Sequence, residues 1–335
     1  MTVGWKEGKR PFQAFDPKFY QKHFRPGENE NPLMHYVEKH QWMNPPTSAD
    51  QIKKPVPLKN PRYKVAICAV FRNDARFLKE WIDYHLMMGV EHFYLCNHLS
   101  LDNYADVLKP YIKKGLVTLS HSIQDPKGHW DAWMSIQNGH CRRVINNTAD
   151  KVDWLLPIDT DEFLVPRTDT TIPKLLDKYP HAAIVAFRWV CFGTNGVQKL
   201  PKDGLLLEKM TKRSPGVSSV KKLAVRPRLV STLVHTHIAY PKPGYIQVNE
   251  NGIPLMFDYK PDTEKTATNA TFHHYFLRDQ TFVDEKARRY QSMSGSRTVK
   301  IAHLPNDDQC TETDTAAHRF VARLRAFQAK NKQAR

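Results

Sequence analysis

Four short apolar runs alternate with three amphipathic stretches between residues 62 and 163, and this alternation predicts an α/β protein with a mostly parallel sheet and helices on both faces. Two further observations agree. The runs are continuously apolar, as expected of strands covered on both sides. Polar and acidic residues follow them, as expected where strands end at a ligand-binding edge.

Residues 1–60 read as a small helical appendage with a proline-rich linker. Asp16-Pro17-Lys18-Phe19-Tyr20 starts one helix and Pro32 to His40 forms a second. Pro45, Pro46, Pro55, Pro57 and Pro61 exclude regular structure between these helices and the main domain. The main domain is expected over 61–300. Its first strand is Val65 to Val70, followed by a helix that Asn73 or Asp74 can cap and whose Leu78, Trp81, Ile82, His85 and Leu86 share a face. Gly89 ends that helix. His92 to Cys96 is the second strand. A helix stopping at Gly115 leads to the third, Leu116 to Leu119. A longer helix from Asp131 to Asn147 precedes the fourth strand, Val152 to Ile158, which ends at Asp159-Thr160-Asp161-Glu162-Phe163. Beyond it, Ala182 to Trp189 reads as a buried strand. Tyr245 to Val248 and Ile253 to Met256 flank a hairpin signal at Asn251-Gly252, and Gln280 to Gln291 reads as a helix. Residues 301–335 form a basic helical segment whose Ala317, Phe320, Val321, Leu324 and Phe327 face the domain.

Hydrophobic residues at 41% and charged residues at 25% mark a globular chain, not a disordered one. No apolar run is long enough to cross a bilayer, and no secretory signal is read near Met1. Cys68, Cys96, Cys141, Cys191 and Cys310 are odd in number and contain no C-x-x-C pair, which argues against a disulfide framework and a zinc ribbon. A cytoplasmic location is the expectation, with peripheral attachment to the inner face of the membrane suggested by charge and by the C-terminal helix. Fifty Lys and Arg against thirty-four Asp and Glu leave a net charge of +16, which predicts attraction to polyanions.

The acidic cluster Asp159, Asp161 and Glu162 carries the strongest chemical signal. Carboxylates crowded at a strand exit repel one another unless a cation neutralises them, and hard divalent ions take oxygen ligands while keeping positions open for phosphate. Arg72, Asn73 and Asp74 leave the first strand, and Asn97, Ser100 and Asp102 leave the second. Each could equally cap a helix or shape a turn, but all three exits lie on one edge. A metal site built on Asp161 needs a ligand from elsewhere, and His235, His237, His273 and His274 are the natural suppliers.

The run Ala69 to His85, containing Arg72-Asn73-Asp74 and Glu80-Trp81-Ile82-Asp83-Tyr84-His85, resembles the opening of family 2 and family 92-like glycosyltransferases. Trp154 to Phe163, Arg188-Trp189 with Phe192-Gly193 and Gly196, and Phe272-His273-His274-Tyr275 with Phe282, Lys286 and Arg289 resemble three later blocks in the same order, across about residues 63–293. Departures are modest: Asp74 stands for a Glu, the turn 97–102 lacks its glycine, His273 stands for an Asn, and Arg278-Asp279 for a Lys-Ser pair. The N-terminal segment resembles a module found beside bacterial surface-polysaccharide glycosyltransferases.

The resemblance implies a GT-A, Rossmann-like fold and a metal-dependent, inverting glycosyltransferase. The donor would be a nucleotide-sugar, a UDP-sugar first, held by Arg72, Asp74, Asn97, Asp102 and Asp159. Asp159, Asp161 and His274 would hold Mn²⁺ or Mg²⁺. The acceptor would be an anionic cell-surface glycan or glycolipid such as lipopolysaccharide or capsule. Glu208 or Asp258 would deprotonate it, Glu208 being favoured for its apolar run. Two alternatives use the same features: a non-catalytic binder of RNA or phosphoglycan, and a metal-dependent nucleotide-sugar phosphodiesterase. Nucleic acid is not the expected partner.

Overall fold

The computed structural model describes residues 15–24, 29–40, 46–123, 130–255, 267–294 and 307–333. Its elements are α1 (Pro17–Phe24), α2 (Pro32–His35), β1 (Tyr63–Phe71), α3 (Ala75–Met87), β2 (His92–His98), α4 (Tyr104–Lys113), β3 (Val117–Ser122), α5 (Trp130–Asn147) and β4 (Val152–Pro157). These are followed by β5 (Glu162–Pro166), α6 (Ile172–Leu176), β6 (Ala182–Cys191), α7 (Leu206–Lys209), β7 (Lys212–Arg213), β8 (Lys221–Val225), β9 (Val230–His235) and β10 (Ile238–Pro241). The remainder is β11 (Ile246–Asn249), β12 (Ala270–His274), α8 (Gln280–Ser294), β13 (Glu312–Thr313) and α9 (Val321–Gln333).

The main sheet runs β3-β2-β1-β4-β8-β6-β12-β5, with β11 also paired to β6. The first four strands are parallel, as the strand–helix alternation predicts. β8 then enters antiparallel between β4 and β6. β12 lies parallel to β6, and β5 closes the edge antiparallel to β12. Helix α3 packs one apolar face onto the sheet with Leu78, Trp81, Ile82 and His85 fully buried. Its Trp81 Nε1 and Tyr84 hydroxyl donate to the carbonyls of Glu162 and Leu164, both at 2.9 Å, and so bolt β5 to it. Helix α5 covers the opposite face through Cys141, Val144 and Ile145. Gly89 takes φ +91° after α3 and Gly115 takes φ +69° after α4, as their placement at helix ends predicts.

The appendage helices appear where the sequence places them. Asp16 Oδ1 accepts the amides of Lys18 and Phe19, and Asn31 Oδ1 that of Leu33. The irregular linker is tied down by Lys53 N to the Gly244 carbonyl at 2.8 Å and by Arg228 to the Val56 carbonyl.

Three expectations are corrected. β5 is an additional strand, hidden in the sequence because its five residues adjoin the acidic cluster directly. The Asn251-Gly252 turn forms no two-stranded hairpin: β11 spends its ladder on β6 in parallel, leaving a single bridge from Val248 to Pro254. His235 and His237 do not alternate along one strand, because β9 ends at His235 and His237 lies in the turn before β10.

The described part of the C-terminal segment packs on the domain through Ala317, Phe320 and Leu324, with Arg319, Arg323, Arg325 and Lys330 exposed. α9 packs on α3, and Arg319 and Arg323 reach the carbonyls of Arg167 and Thr170 at 2.7 and 2.8 Å. β13 pairs with β7, and Asp307 accepts the Thr194 amide and hydroxyl. A Cβ at Gly193 would sit 2.3 Å from Asp307 Oδ1, so that approach requires glycine. All five cysteines are free and buried. No described helix is long and apolar enough to cross a membrane.

Candidate active site

The exits of β1, β2, β4 and β12 lie at one edge of the sheet, and the predicted residues gather there in three groups. In the first, the β1 and β2 exits lock each other. Asn73, at φ +56°, donates its amide to Ser100 Oγ at 2.9 Å and accepts the Leu101 amide on Oδ1 at 2.7 Å. Asp102 Oδ2 accepts the Ala75 amide at 2.8 Å and so caps α3, a task the sequence assigns to Asn73 or Asp74. Asn97 Oδ1 accepts the Ser100 amide at 3.1 Å, and its Nδ2 meets His121 at 3.3 Å. Asn97 and Asp102 thus shape the loop, as turn and capping residues do, while Arg72 stays half-buried beside them.

The second group is Asp159 with its partners. Lys222 of β8, completely buried, donates to Asp159 Oδ2 at 2.7 Å and to Thr236 Oγ1 at 3.0 Å, and stands 3.5 Å from Glu162 Oε2. Gln137 of α5 donates to the other Asp159 oxygen. Burial opposes the lysine's charge, but Asp159 and Glu162 outweigh it and hold its pKa above the ordinary ammonium value. The neutralising cation that the acidic cluster demands is therefore supplied in part by the chain itself.

The third group is Asp161, His274 and Arg278. β12 pairs with β5 so that His274 stands opposite Glu162, and Tyr275 N donates to the Asp161 carbonyl at 2.9 Å. That register brings His274 Nε2 to 3.5 Å from Asp161 Oδ1. Arg278 Nη2 lies 3.8 Å from Asp161 Oδ2. Burial would raise the Asp161 pKa, but His274 and then Arg278 overcome it and hold the carboxyl well below the usual range. Asp161 Oδ1 is buried without a hydrogen-bond partner. An ionised, unsatisfied oxygen facing an imidazole nitrogen suits a divalent cation. Asp161 and His274 therefore fit the metal the sequence implies. Asp159 takes Lys222 and Gln137 on its two oxygens, and no group of three His, Cys, Asp or Glu side chains converges on one point among the described residues.

Asp74 belongs to this third group. Its oxygens take Arg278 Nη1 at 2.6 Å and Thr160 Oγ1 at 2.8 Å. Glu208 is elsewhere: it pairs with Arg325 of α9, and its carbonyl accepts from His318. Asp258 lies outside the described residues. Sequence reasoning missed Lys222, Gln137 and the role of Arg278. Nothing in the doublet Lys221-Lys222 marks it as part of a site, and only the depth of β8 in the sheet puts Lys222 under the cluster.

The fold and site define an α/β protein with acidic and cationic side chains gathered at the carboxyl ends of its strands, the edge at which open α/β sheets bind ligands. Residues 62–311 match glycosyltransferase family 92, and the chain belongs to that family. A glycosyltransferase family 92 protein of Oryza sativa subsp. japonica is 29% identical over 225 residues, covering 62% of this chain and 36% of that protein. One from Ricinus communis is 25% identical over 206 residues, covering 59% and 35%. The chain spans about a third of the length of these curated relatives. Among solved structures, TarS 1–349 of S. aureus in complex with UDP aligns with a TM-score of 0.32 at 14% identity, over 50% of this chain and 47% of that chain. Glucosyl-3-phosphoglycerate synthase of Mycobacterium tuberculosis, in complex with Mn²⁺, UDP and glucosyl-3-phosphoglycerate, aligns with a TM-score of 0.30 at 12% identity, over 56% and 70%.

Proposed function

We propose that this chain transfers a sugar from a nucleotide-sugar donor to a glycan acceptor with inversion, assisted by a divalent cation held on Asp161 and His274. The family carries the general reading. The juxtaposition of Asp161 Oδ1 and His274 Nε2 at 3.5 Å, with that oxygen otherwise unsatisfied, carries the metal. Mn²⁺ or Mg²⁺ bound there would neutralise charge developing on the departing diphosphate. The chain's own contribution is positioning. Asn73, Ser100 and Asp102 fix the β1 and β2 exits where the nucleoside would lie, with Arg72 beside them. Lys222 and Gln137 hold Asp159 in a single orientation. Asp159, 31% exposed, is thereby presented to the donor in a fixed orientation.

Of the two base candidates, Glu208 is committed to Arg325, which leaves Asp258 as the one to test. A UDP-sugar donor follows from the family resemblance. An anionic surface glycan as acceptor is supported by the net charge of +16, and a cytoplasmic location by five free, buried cysteines. The deciding experiment follows nucleoside diphosphate release from a panel of nucleotide-sugars with Mn²⁺, with and without glycan acceptors. Slow release that an acceptor accelerates is the expected result. Fast, acceptor-independent cleavage to nucleoside monophosphate and sugar 1-phosphate, with no diphosphate released, would identify a phosphodiesterase instead.

A further inference from the structure

Arg278 is only 2% exposed, yet it is neither a surface cation nor a simple ion-pair partner. Its guanidinium lies over the rings of Phe77 and Phe282, 4.5 and 4.2 Å from their centroids. Nη1 is spent on Asp74, Nη2 points toward Asp161, and Nε has no hydrogen-bond partner. Because Asp74 also takes the Thr160 hydroxyl, one arginine links the β1 exit, the acidic loop and the segment after β12. Lys222 cannot serve in its place, since Asp159, Glu162 and Thr236 already surround its ammonium.

A desolvated guanidinium held this firmly has a definite electrostatic consequence. Its charge is shared with Asp74 and Asp161, so it lowers the cost of bringing an anion beside Asp161 and disfavours a second cation there, and both effects are strengthened by the low local dielectric. We propose that Arg278 is a resident cation for the donor's diphosphate, so that the site takes a nucleoside diphosphate without any metal, and that Asp74 is a positioning residue that orients Arg278 rather than a contact to the nucleoside. This rests on the transferase reading and adds a binding order to it, diphosphate before divalent ion.

The test measures affinity by calorimetry in EDTA for UDP, GDP, CDP and dTDP and for the nucleoside of each. The wild type should bind the best diphosphate well over tenfold more tightly than its nucleoside, and Arg278→Gln should lose about tenfold of that margin while nucleoside affinity is unchanged. Arg278→Lys should recover part of the loss. Mn²⁺ affinity of the nucleotide-free Arg278→Gln protein, read by electron paramagnetic resonance, should hold or rise, whereas mere structural damage would weaken both. Should Arg278→Gln not fold, Arg278→Lys and Asp74→Asn supply the reading: each should lose diphosphate affinity severalfold and spare the nucleoside. A folded Arg278→Gln with unchanged diphosphate affinity in EDTA overturns the inference and leaves the transferase reading standing. A wild type that binds no nucleotide even with Mn²⁺ overturns both.

Discussion

Asp159 and Asp161 stand two residues apart and face different partners. The first is tied to Lys222 and Gln137, and the second faces His274 and Arg278. Divalent affinity should therefore divide unequally between them. Asp161→Asn should weaken Mn²⁺ binding by about tenfold or more, while Asp159→Asn should change it by less than about threefold, both read by electron paramagnetic resonance. Equal losses would place Asp159 back among the ligands. Lys222→Met leaves buried Glu162 and partly exposed Asp159 without their cation, and urea unfolding should show a loss of about 3 kcal/mol. The acidic pair was legible because three carboxylates after an apolar run are chemically conspicuous. Their division of labour was not legible, because it depends on a lysine about sixty residues later whose surroundings only the sheet defines.

At the scale of elements, β1 to β4 and their helices could be read from the sequence because each carries its own periodicity and its own stop. β5 and β12 could not, since five residues show no period and their pairing joins segments far apart in the chain. That pairing places His274. The short helix α7 offers a test of how such late elements are held. Glu80 of α3 accepts the amides of Leu206 and Leu207 at 2.8 and 3.1 Å, and burial pushes its carboxyl up to about 7 from an ordinary 4.5. The folded protein keeps this proton over a range where the unfolded chain has lost it. This group's contribution to stability thus falls as pH rises from about 4.5 to about 7, by up to about 3 kcal/mol. Denaturant midpoints across that range should differ in slope between wild type and Glu80→Gln, with the variant lacking this fall. Parallel slopes would mean that Glu80 is not protonated in the fold. The C-terminal helix is bound equally firmly. Arg323→Ala, which frees the carbonyls of Thr170 and Met87, should cost about 1–2 kcal/mol in the same measurement.

For the whole molecule, buried histidines set a cost in acid that runs against the Glu80 contribution. His85 is fully buried, with Nδ1 on the Trp81 carbonyl at 2.8 Å, and burial lowers its pKa to about 3. His92 is lowered to about 4, again chiefly by burial. Unfolded histidines gain protons below about 6.5 and these do not, so stability is lost as pH falls below that value, by about 1.4 kcal/mol per pH unit for His85 alone. His85→Phe should flatten the acid side of the stability profile, and an unchanged profile would contradict the burial argument. The balance of charge is also a property of the whole. Lys222 and Arg278 meet the acidic cluster from β8 and from the segment after β12, so the chain supplies cations to that cluster from two distant parts of its fold. The most direct test of the central claim is a thermal-shift screen of wild type and Asp161→Asn against UDP-, GDP-, CMP- and dTDP-sugars, with and without Mn²⁺. One donor class should stabilise the wild type, Mn²⁺ should increase that shift, and the Mn²⁺ increment should be lost in Asp161→Asn. Folded wild type that responds to no nucleotide-sugar, or an Mn²⁺ increment undiminished in the variant, would contradict the metal-assisted transferase.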